Sequence, residues 1–502
     1  MRKRVTKRTA VCIGSDITRL LTSNRFFYFT LGFFALQAIW LACTALYPMA
    51  YDESYHFGLI QQHANQWLPF FTHQPSGIGG GYGPVTRDPS YLYHYLMSIP
   101  YRTIDIFHPP FMALVISLRL IDVALFVLNF ILFRRLLLRL GASRALAHSI
   151  LFTFSLIPVV PFLAAHINYD NLFITLMLAA LLLMFNLIDG IRKHQLSAPT
   201  LLGFITVIAA GSIVKYPYLP IAVALVLVLA VYIWLQRHDW KKLVANFGST
   251  FRHTSVPLRT ALVILALITV GLFGERYVIN LWQYHSLSPD CGAVLDVDSC
   301  LAYGPWARNY YYAQTLPADF TPNILHYPLD WIQGMWTRSF FAINNNFVEV
   351  PPLPVPSWGA AVVGIAGAAL LIPFGWRLLR GNRYRVVVLV VFVLYAGALF
   401  IQTLAGYITT AHLVAINGRY LIPFMPFIFL IIGLAFSYTF QHLPKIKPYA
   451  VLVVFLLLLQ GGGAMTFVLR SDASWDWQNT ITINANNAVR SVLSPIIIGS
   501  RS

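Results

Sequence analysis

Apolar runs of about 20 residues recur from Phe26 to Leu469, and this recurrence limits the possible folds more than any other feature. As α-helix, rising roughly 1.5 Å per residue, such a run crosses the roughly 30 Å hydrocarbon core of a bilayer. No water is available there to bond the backbone, so helices that satisfy their own N–H and C=O groups are the default spanning element. Hydrophobic residues make up 58% of the 502 residues and charged residues 11%, a balance that would aggregate as a soluble core. The runs predict an all-α polytopic membrane bundle of about eleven transmembrane helices. Their expected positions are 27–49, 111–133, 145–164, 170–188, 198–216, 217–235, 260–282, 357–376, 386–406, 419–439 and 449–469. The fifth and sixth should meet at Lys215-Tyr216-Pro217-Tyr218, where proline ends a helix and paired tyrosines suit a membrane interface.

Lysine and arginine set the expected orientation, because cytoplasmic loops carry the excess. Segments 1–26, 134–144, 190–199, 237–259, 377–385 and 441–449 hold 24 of the 35 basic residues. They are expected to face the cytoplasm, with loops 50–110 and 283–356 and the tail 471–502 outside, in a multi-pass protein of the plasma membrane. The apolar run after the basic N-terminal tail is too long for a cleaved signal and lacks a small-residue cleavage pattern. The formal charge of +17 then reads as a topology signal and an attraction to anionic lipid, with no nucleic-acid partner. Five regions follow: a basic tail 1–26, a membrane module 27–282, an outer loop 283–356, C-terminal helices 357–470 and an outer tail 471–502.

Acidic residues are distributed the other way. Of 18, only Asp16, Asp189 and Asp239 fall on the expected cytoplasmic side, and Asp122 lies mid-membrane. Solvation of large loops accounts for part of the outer excess. Cys291 and Cys300 share an outer loop, an oxidising setting, and are expected to form a disulfide, whereas Cys12 and Cys43 lie in the tail and the first helix.

Within 50–110, Glu53–Leu68 aligns Ile60, Ala64, Trp67 and Leu68, and Ser90–Ile106 aligns Leu92, Tyr95, Leu96 and Ile99. Both segments read as interfacial helices. The glycine run Gly77–Gly83 between them lacks the Lys-Ser/Thr ending of a phosphate loop and reads as a loop, or as a cover over a site.

The segment Tyr51-Asp52-Glu53-Ser54-Tyr55-His56-Phe57-Gly58 follows the first span directly. Two adjacent carboxylates and a histidine at the lipid–water boundary suit a general base, while Asp52 also suits a helix cap. Other positions carry two readings as well. Arg119 and Asp122 either serve a site or neutralise each other within one helix, and Asp170 either acts or caps. Lys215 and Arg419 either bind phosphate or snorkel to headgroups, and Arg87 either meets a ligand or pairs with Asp88. His166-x-Asn168-x-Asp170 matches no strong metal motif; Asp52, His166 and Asp170 are the candidate ligands of an optional divalent metal.

The Asp-Glu pair after the first span, the nearby His-Phe-Gly and the paired interfacial helices together resemble the GT-C glycosyltransferases. Among these, the closest likeness is to dolichyl-phosphate-mannose protein mannosyltransferases and to bacterial aminoarabinose and related polyprenyl-phosphate-sugar transferases. Their Asp-Glu-Val-His-Phe-Gly pattern carries one residue fewer before the histidine than this chain. Asp88-Pro89-Ser90-Tyr91-Leu92 resembles their Pro-Pro-Leu-Tyr run, with Ser90 in place of the second proline. Arg119, Asn168-Tyr169-Asp170-Asn171-Leu172 and Gly418-Arg419-Tyr420-Leu421-Ile422-Pro423 resemble further family positions.

The resemblance implies inverting transfer of a sugar from a polyprenyl-phosphate-linked donor to an extracytoplasmic glycan, lipid or protein acceptor. Asp52 would be the base, with Glu53 or Asp170 orienting the acceptor. Lys215, Arg419 or Arg87 would hold the phosphate, and His56, Asp88, Tyr91, Asn168, Arg338 and Tyr420 would complete the substrate site. Three rivals differ in emphasis. A polymerase or ligase of lipid-linked glycans would depend on Arg338 and Arg419 rather than Asp52. A transporter or flippase would bury its working charges near the midplane. A structural partner in a cell-envelope complex would need no site.

Overall fold

The computed structural model describes residues 18–49, 52–75, 81–341, 343–344, 349–350, 358–442, 453–454, 462–471 and 473–497. In chain order the longer helices are α1 Asn24–Thr44, α2 Glu53–Ala64, α3 Leu92–Asp105, α4 Phe111–Arg139, α5 Arg144–Ser155 and α6 Val159–Ala164. Next come α7 Asp170–Arg192, α8 Ala198–Val214, α9 Leu219–Leu235, α10 Trp240–His253, α11 Val256–Tyr284 and α12 Gly304–Gln314. The last are α13 Tyr327–Phe341, α14 Trp358–Arg380, α15 Arg383–Thr410, α16 Met425–Thr439, α17 Ala464–Arg470 and α18 Thr480–Ile497. Among the described residues the only strands are Ile343–Asn344 and Glu349–Val350, paired antiparallel with Ile343 opposite Val350.

Eight described segments are long and apolar enough to cross a membrane. They are α1, α4, α7, α11, α15, Tyr216–Leu235 around α9, Ala361–Arg380 within α14 and Gly418–Thr439 around α16. The chain is therefore an α-helical multi-pass membrane protein. The remaining expected spans take other forms. Span 145–164 is divided into α5 and α6, which part at Leu156-Ile157-Pro158, and α8 covers 17 residues. About half of span 449–469 lies outside the described residues, as do the tail 1–17, Tyr51 and most of the glycine run.

Local chemistry explains the helix ends. Ser23 caps α1 by accepting from the amide of Phe26 at 3.1 Å, and Asn382 caps α15 by accepting from Tyr384 at 2.9 Å. Pro217 separates α8 from α9 through the short 3₁₀ turn Tyr216–Tyr218, as the sequence predicts. Gly211 lets that turn close, since a Cβ there would lie 2.4 Å from the Tyr218 ring.

Lipid chains are as apolar as leucine, so packing rather than water exclusion holds such helices together. In the core, Phe34 of α1 stacks on Phe130 of α4 with centroids 4.2 Å apart, and Phe130 meets Phe154 of α5 at 5.6 Å. The outer face of α11 instead exposes Leu258, Ile264, Leu267, Ile268 and Val278, a surface suited to hydrocarbon.

The helix directions give the bundle two unlike ends. One end gathers the C-termini of α1, α6 and α8 with the N-termini of α4, α7, α9 and α16. At the other end Asp189 receives Arg139 at 2.8 Å together with Arg383 and Tyr384. The helices α2 and α3 pack against each other beside the first end. Helix α2 stops at Ala64, short of the expected Leu68, and Trp67 beyond it is 86% exposed. The aligned residues Leu96 and Ile99 point outward, and α3 buries Leu92, Tyr93, His94 and Met97 instead.

Candidate functional site

Where α1 ends, its last carbonyls have no partner within the helix. Arg119 of α4, fully buried, donates to the carbonyls of Ala42, Ala45 and Leu46 at 3.2, 2.7 and 2.9 Å. The same guanidinium grips both oxygens of Glu53 at 2.7 Å each, and the Met49 amide donates to Glu53 at 3.1 Å. Burial alone would raise the Glu53 pKa, but Arg119, His166 and the Met49 amide hold it below the usual carboxylate range. Glu53, expected to orient the acceptor, is thus a buried structural anion. Arg119 does not pair with Asp122, which accepts from the Tyr93 hydroxyl at 2.7 Å and from the Asn168 amide at 3.4 Å.

This anchor sets the residue before it. Asp52 adopts the left-handed conformation at φ 64° and ψ 31°, and its carboxylate makes no capping bond to α2. Neighbouring acids therefore part company: Glu53 is buried, while the Asp52 side chain is 61% exposed. The Asp52 carboxylate faces the Arg419 guanidinium at 3.2 Å.

Arg419 is carried by the 3₁₀ turn Gly418–Phe424, which α13 supports from behind. A Cβ on Gly418 would sit 1.9 Å from the Ser339 amide nitrogen, so only glycine allows that approach. Ser339 donates to the Gly418 carbonyl at 3.0 Å, and the exposed Arg338 donates to the Ile416 carbonyl. Arg338 therefore braces the segment that delivers Arg419.

Asp170 opens α7 and pairs with Lys215 at the end of α8, both buried. Asn168 performs the capping function, accepting from the Asp170 amide at 2.7 Å. The second Asp170 carboxylate oxygen is buried without a hydrogen-bond partner. Lys215 does not snorkel outward. Its ammonium lies 4.5 Å from the Tyr169 ring centroid, 4.8 Å from that of Tyr420 and 5.8 Å from that of Phe173. Tyr420 also lies 5.4 Å from the Arg419 guanidinium, joining the two ion pairs into one cluster.

His56 borders this cluster, edge-on to Tyr169 at 4.4 Å, and its Nδ1 meets Nε2 of His94 at 2.9 Å. Burial, then Arg419 and Lys215, pushes the His56 pKa well below its ordinary value. Burial, then His56 and His63, does the same to His94. His63 and His94 belong to no motif, and their only signal in the sequence is that histidines fall on facing sides of two short helices.

The remaining candidates stand apart. Arg87 pairs with Glu275 of α11 at 3.5 Å rather than with Asp88. Asp88 accepts from the Ser90 amide at 2.8 Å and from the Tyr55 hydroxyl at 3.5 Å, and burial raises its pKa. Tyr91 donates its amide to Ile213, and its ring lies 4.7 Å from the buried Arg276, which no sequence motif singled out. Cys291 and Cys300 are disulfide-bonded with Cα atoms 5.8 Å apart, just before α12. Tyr303 then packs 6.0 Å from Tyr55, so this loop lies over α2. Among the described residues, no group of three or more His, Cys, Asp or Glu is placed to hold a metal ion.

Asp52, Asp170, Lys215, Arg419 and Tyr420 thus come together with Tyr169 and His56 at one end of the bundle. The four charges balance formally. An exposed carboxylate offers a proton acceptor, and two cations with aromatic walls suit an anionic group that arrives with an apolar tail. Compared with protein-family models, curated proteins and solved structures, the chain matches none.

Proposed function

We propose that the protein is a membrane glycosyltransferase that moves a sugar from a polyprenyl-phosphate-linked donor to an extracytoplasmic acceptor with inversion. The proposal takes the site-bearing end as the outer face of the plasma membrane, and counts eleven spans by adding 145–164, 198–216 and 449–469 to the eight apolar segments. The basic-residue distribution supports that orientation.

The observation that carries the reading is the separation of Asp52 from Glu53. One acid is locked in structure, while its neighbour is exposed and faces a cation. In the resting protein Arg419 holds Asp52. When a donor phosphate takes over Arg419, with Lys215 behind it, the Asp52 carboxylate is released from its counter-ion to meet the acceptor hydroxyl. The Asp52 carboxylate then removes the acceptor hydroxyl proton as that oxygen bonds to the anomeric carbon. The bond from this carbon to the phosphate oxygen breaks, and polyprenyl phosphate leaves with the electron pair. In this reading the Asp170 oxygen that has no hydrogen-bond partner accepts from a substrate hydroxyl.

The test is transfer of radiolabelled sugar from a panel of polyprenyl-phosphate donors in vesicles reconstituted with the pure protein. Transfer from one donor class supports the reading. No transfer from any donor defeats it. Full activity in Asp52→Asn with loss in Arg338→Gln and Arg419→Gln would favour a polymerase or ligase instead.

A further inference from the structure

The chain from Ser471 onward has no span-like character, and its sequence reads only as a tail. Residues 473–497 are instead stapled to the end of α1. The Leu46 amide donates to the Trp475 carbonyl at 2.9 Å, and the Trp477 amide donates to the Thr44 carbonyl at 2.8 Å. Ala45 and Asp476 thereby form an antiparallel bridge. Trp475, Asp476 and Asn486 are buried at 3%, 0% and 0% exposure, values foreign to a loose tail.

Side chains lock this bridge from both sides. Arg490 of α18 reaches the two oxygens of Asp476 at 3.0 and 3.3 Å, and Asn486 donates to the same carboxylate at 2.8 Å. Asn486 also accepts from the indole of Trp40 in α1 at 3.0 Å, and Arg490 donates to the Val468 carbonyl at 2.7 Å. Asp476 is therefore the point where α18, α17 and the end of α1 meet.

Residues 44–46 lie between two clamps. Their carbonyls at Ala45 and Leu46 are held by Arg119, which also holds Glu53, and Glu53 is joined to Asp52. We infer that the segment from Ala473 to Ile497 is a strap, and that Asp476 and Arg490 are positioning residues that fix the end of α1 and, through Arg119 and Glu53, the placement of Asp52 against Arg419. Each link is a bond of ordinary length, and the path from Arg490 to Asp52 crosses only segments that those bonds hold. Misplacing a reacting group by about 1 Å costs on the order of 10²-fold in rate. A segment late in the chain thus positions Asp52, a residue of the site that lies early in it.

The inference rests on the proposed function for its effect on rate, so its test includes readouts that do not require transfer. Full-length wild type, Asp476→Asn, Arg490→Gln and Arg490→Lys are compared in detergent and in vesicles. Amide hydrogen exchange at Leu46 and Trp477 should be slow in the wild type and about tenfold faster or more in Asp476→Asn and Arg490→Gln. Carbodiimide labelling of Asp52 should rise severalfold in the same two variants, because Arg419 no longer shields it. In the transfer assay kcat should fall about 10- to 100-fold with the donor KM unchanged. Arg490→Lys should recover part of that loss.

Fast exchange at both amides in the wild type overturns the strap. So do variants with wild-type exchange and wild-type labelling of Asp52. A wild type that transfers no sugar but shows the exchange and labelling changes sinks the proposed function and leaves the strap standing.

Discussion

The guanidinium of Arg419 lies 3.2 Å from the carboxylate of Asp52, 367 residues earlier in the chain. Arg419 is 8% exposed and the Asp52 side chain 61%, so the pair has one buried and one open partner. Solvent screening keeps the contact of an open carboxylate modest in energy, which suits the exchange that the proposed transfer requires. Arg419→Gln should raise the donor KM and lower kcat/KM by about 10²- to 10³-fold, with little change in thermal midpoint. Donor titration of the transfer assay checks the first, and a melting curve the second. A wild-type KM would remove Arg419 from the phosphate site.

The Glu53–Arg119 pair behaves oppositely because both side chains are fully buried. Removing one partner leaves a buried charge alone, so Arg119→Leu and Glu53→Gln should each destabilise by about 3–5 kcal/mol. The measurement is detergent-phase unfolding. Stable, fully folded single variants would contradict the anchoring role.

Asp170 and Lys215 form a second buried pair. Asp170→Asn or Lys215→Met alone should be more harmful to stability than the double variant, with a coupling energy of about 1–3 kcal/mol. Additive effects in that cycle would mean that the two side chains act independently.

Histidine burial gives the protein an acid-side limit. The His63 pKa is lowered to about 3, by burial first and then by Arg276 and Arg102. The His166 pKa is lowered to about 4, by burial first and despite Glu53. Below the ordinary histidine pKa of about 6.5, the unfolded chain binds protons that the folded chain refuses. Stability from these groups is therefore complete above about pH 6.5 and is lost as pH falls toward about 4 and 3. The thermal midpoint should drop across that window, and His63→Gln should flatten the drop. An unchanged slope in that variant would show that His63 does not contribute.

Cys291 and Cys300 close a short loop, so Cys300→Ser should cost about 2–3 kcal/mol of local stability. Limited proteolysis between α11 and α12 should quicken in the variant. Equal cleavage rates would show that the loop holds without the bond.

The membrane bundle was legible because apolar run length and hydrocarbon thickness are nearly the same constraint. The break at Pro217 was legible because proline cannot donate within a helix. The divided span at Leu156-Ile157-Pro158 was not, since the apolar run continues through it. Asp52, Asp170, Lys215, Arg419 and Tyr420 were nameable from local motifs, but their partners were not. Whether Arg119 meets Asp122 three residues away or Glu53 across the bundle depends on helix packing, which no local spacing encodes. The buried Arg276, the His56–His94 contact and the strap at Asp476 are invisible for the same reason: each joins segments distant in the chain.

In the proposed transfer Asp52, and not Glu53, takes the acceptor proton. The direct measurement is kcat for sugar transfer in vesicles by wild type and Asp52→Asn, with donor binding and folding measured on the same samples. The expected result is a loss of at least about 10²-fold in kcat with donor binding and thermal midpoint retained. Transfer by Asp52→Asn at the wild-type rate would contradict it.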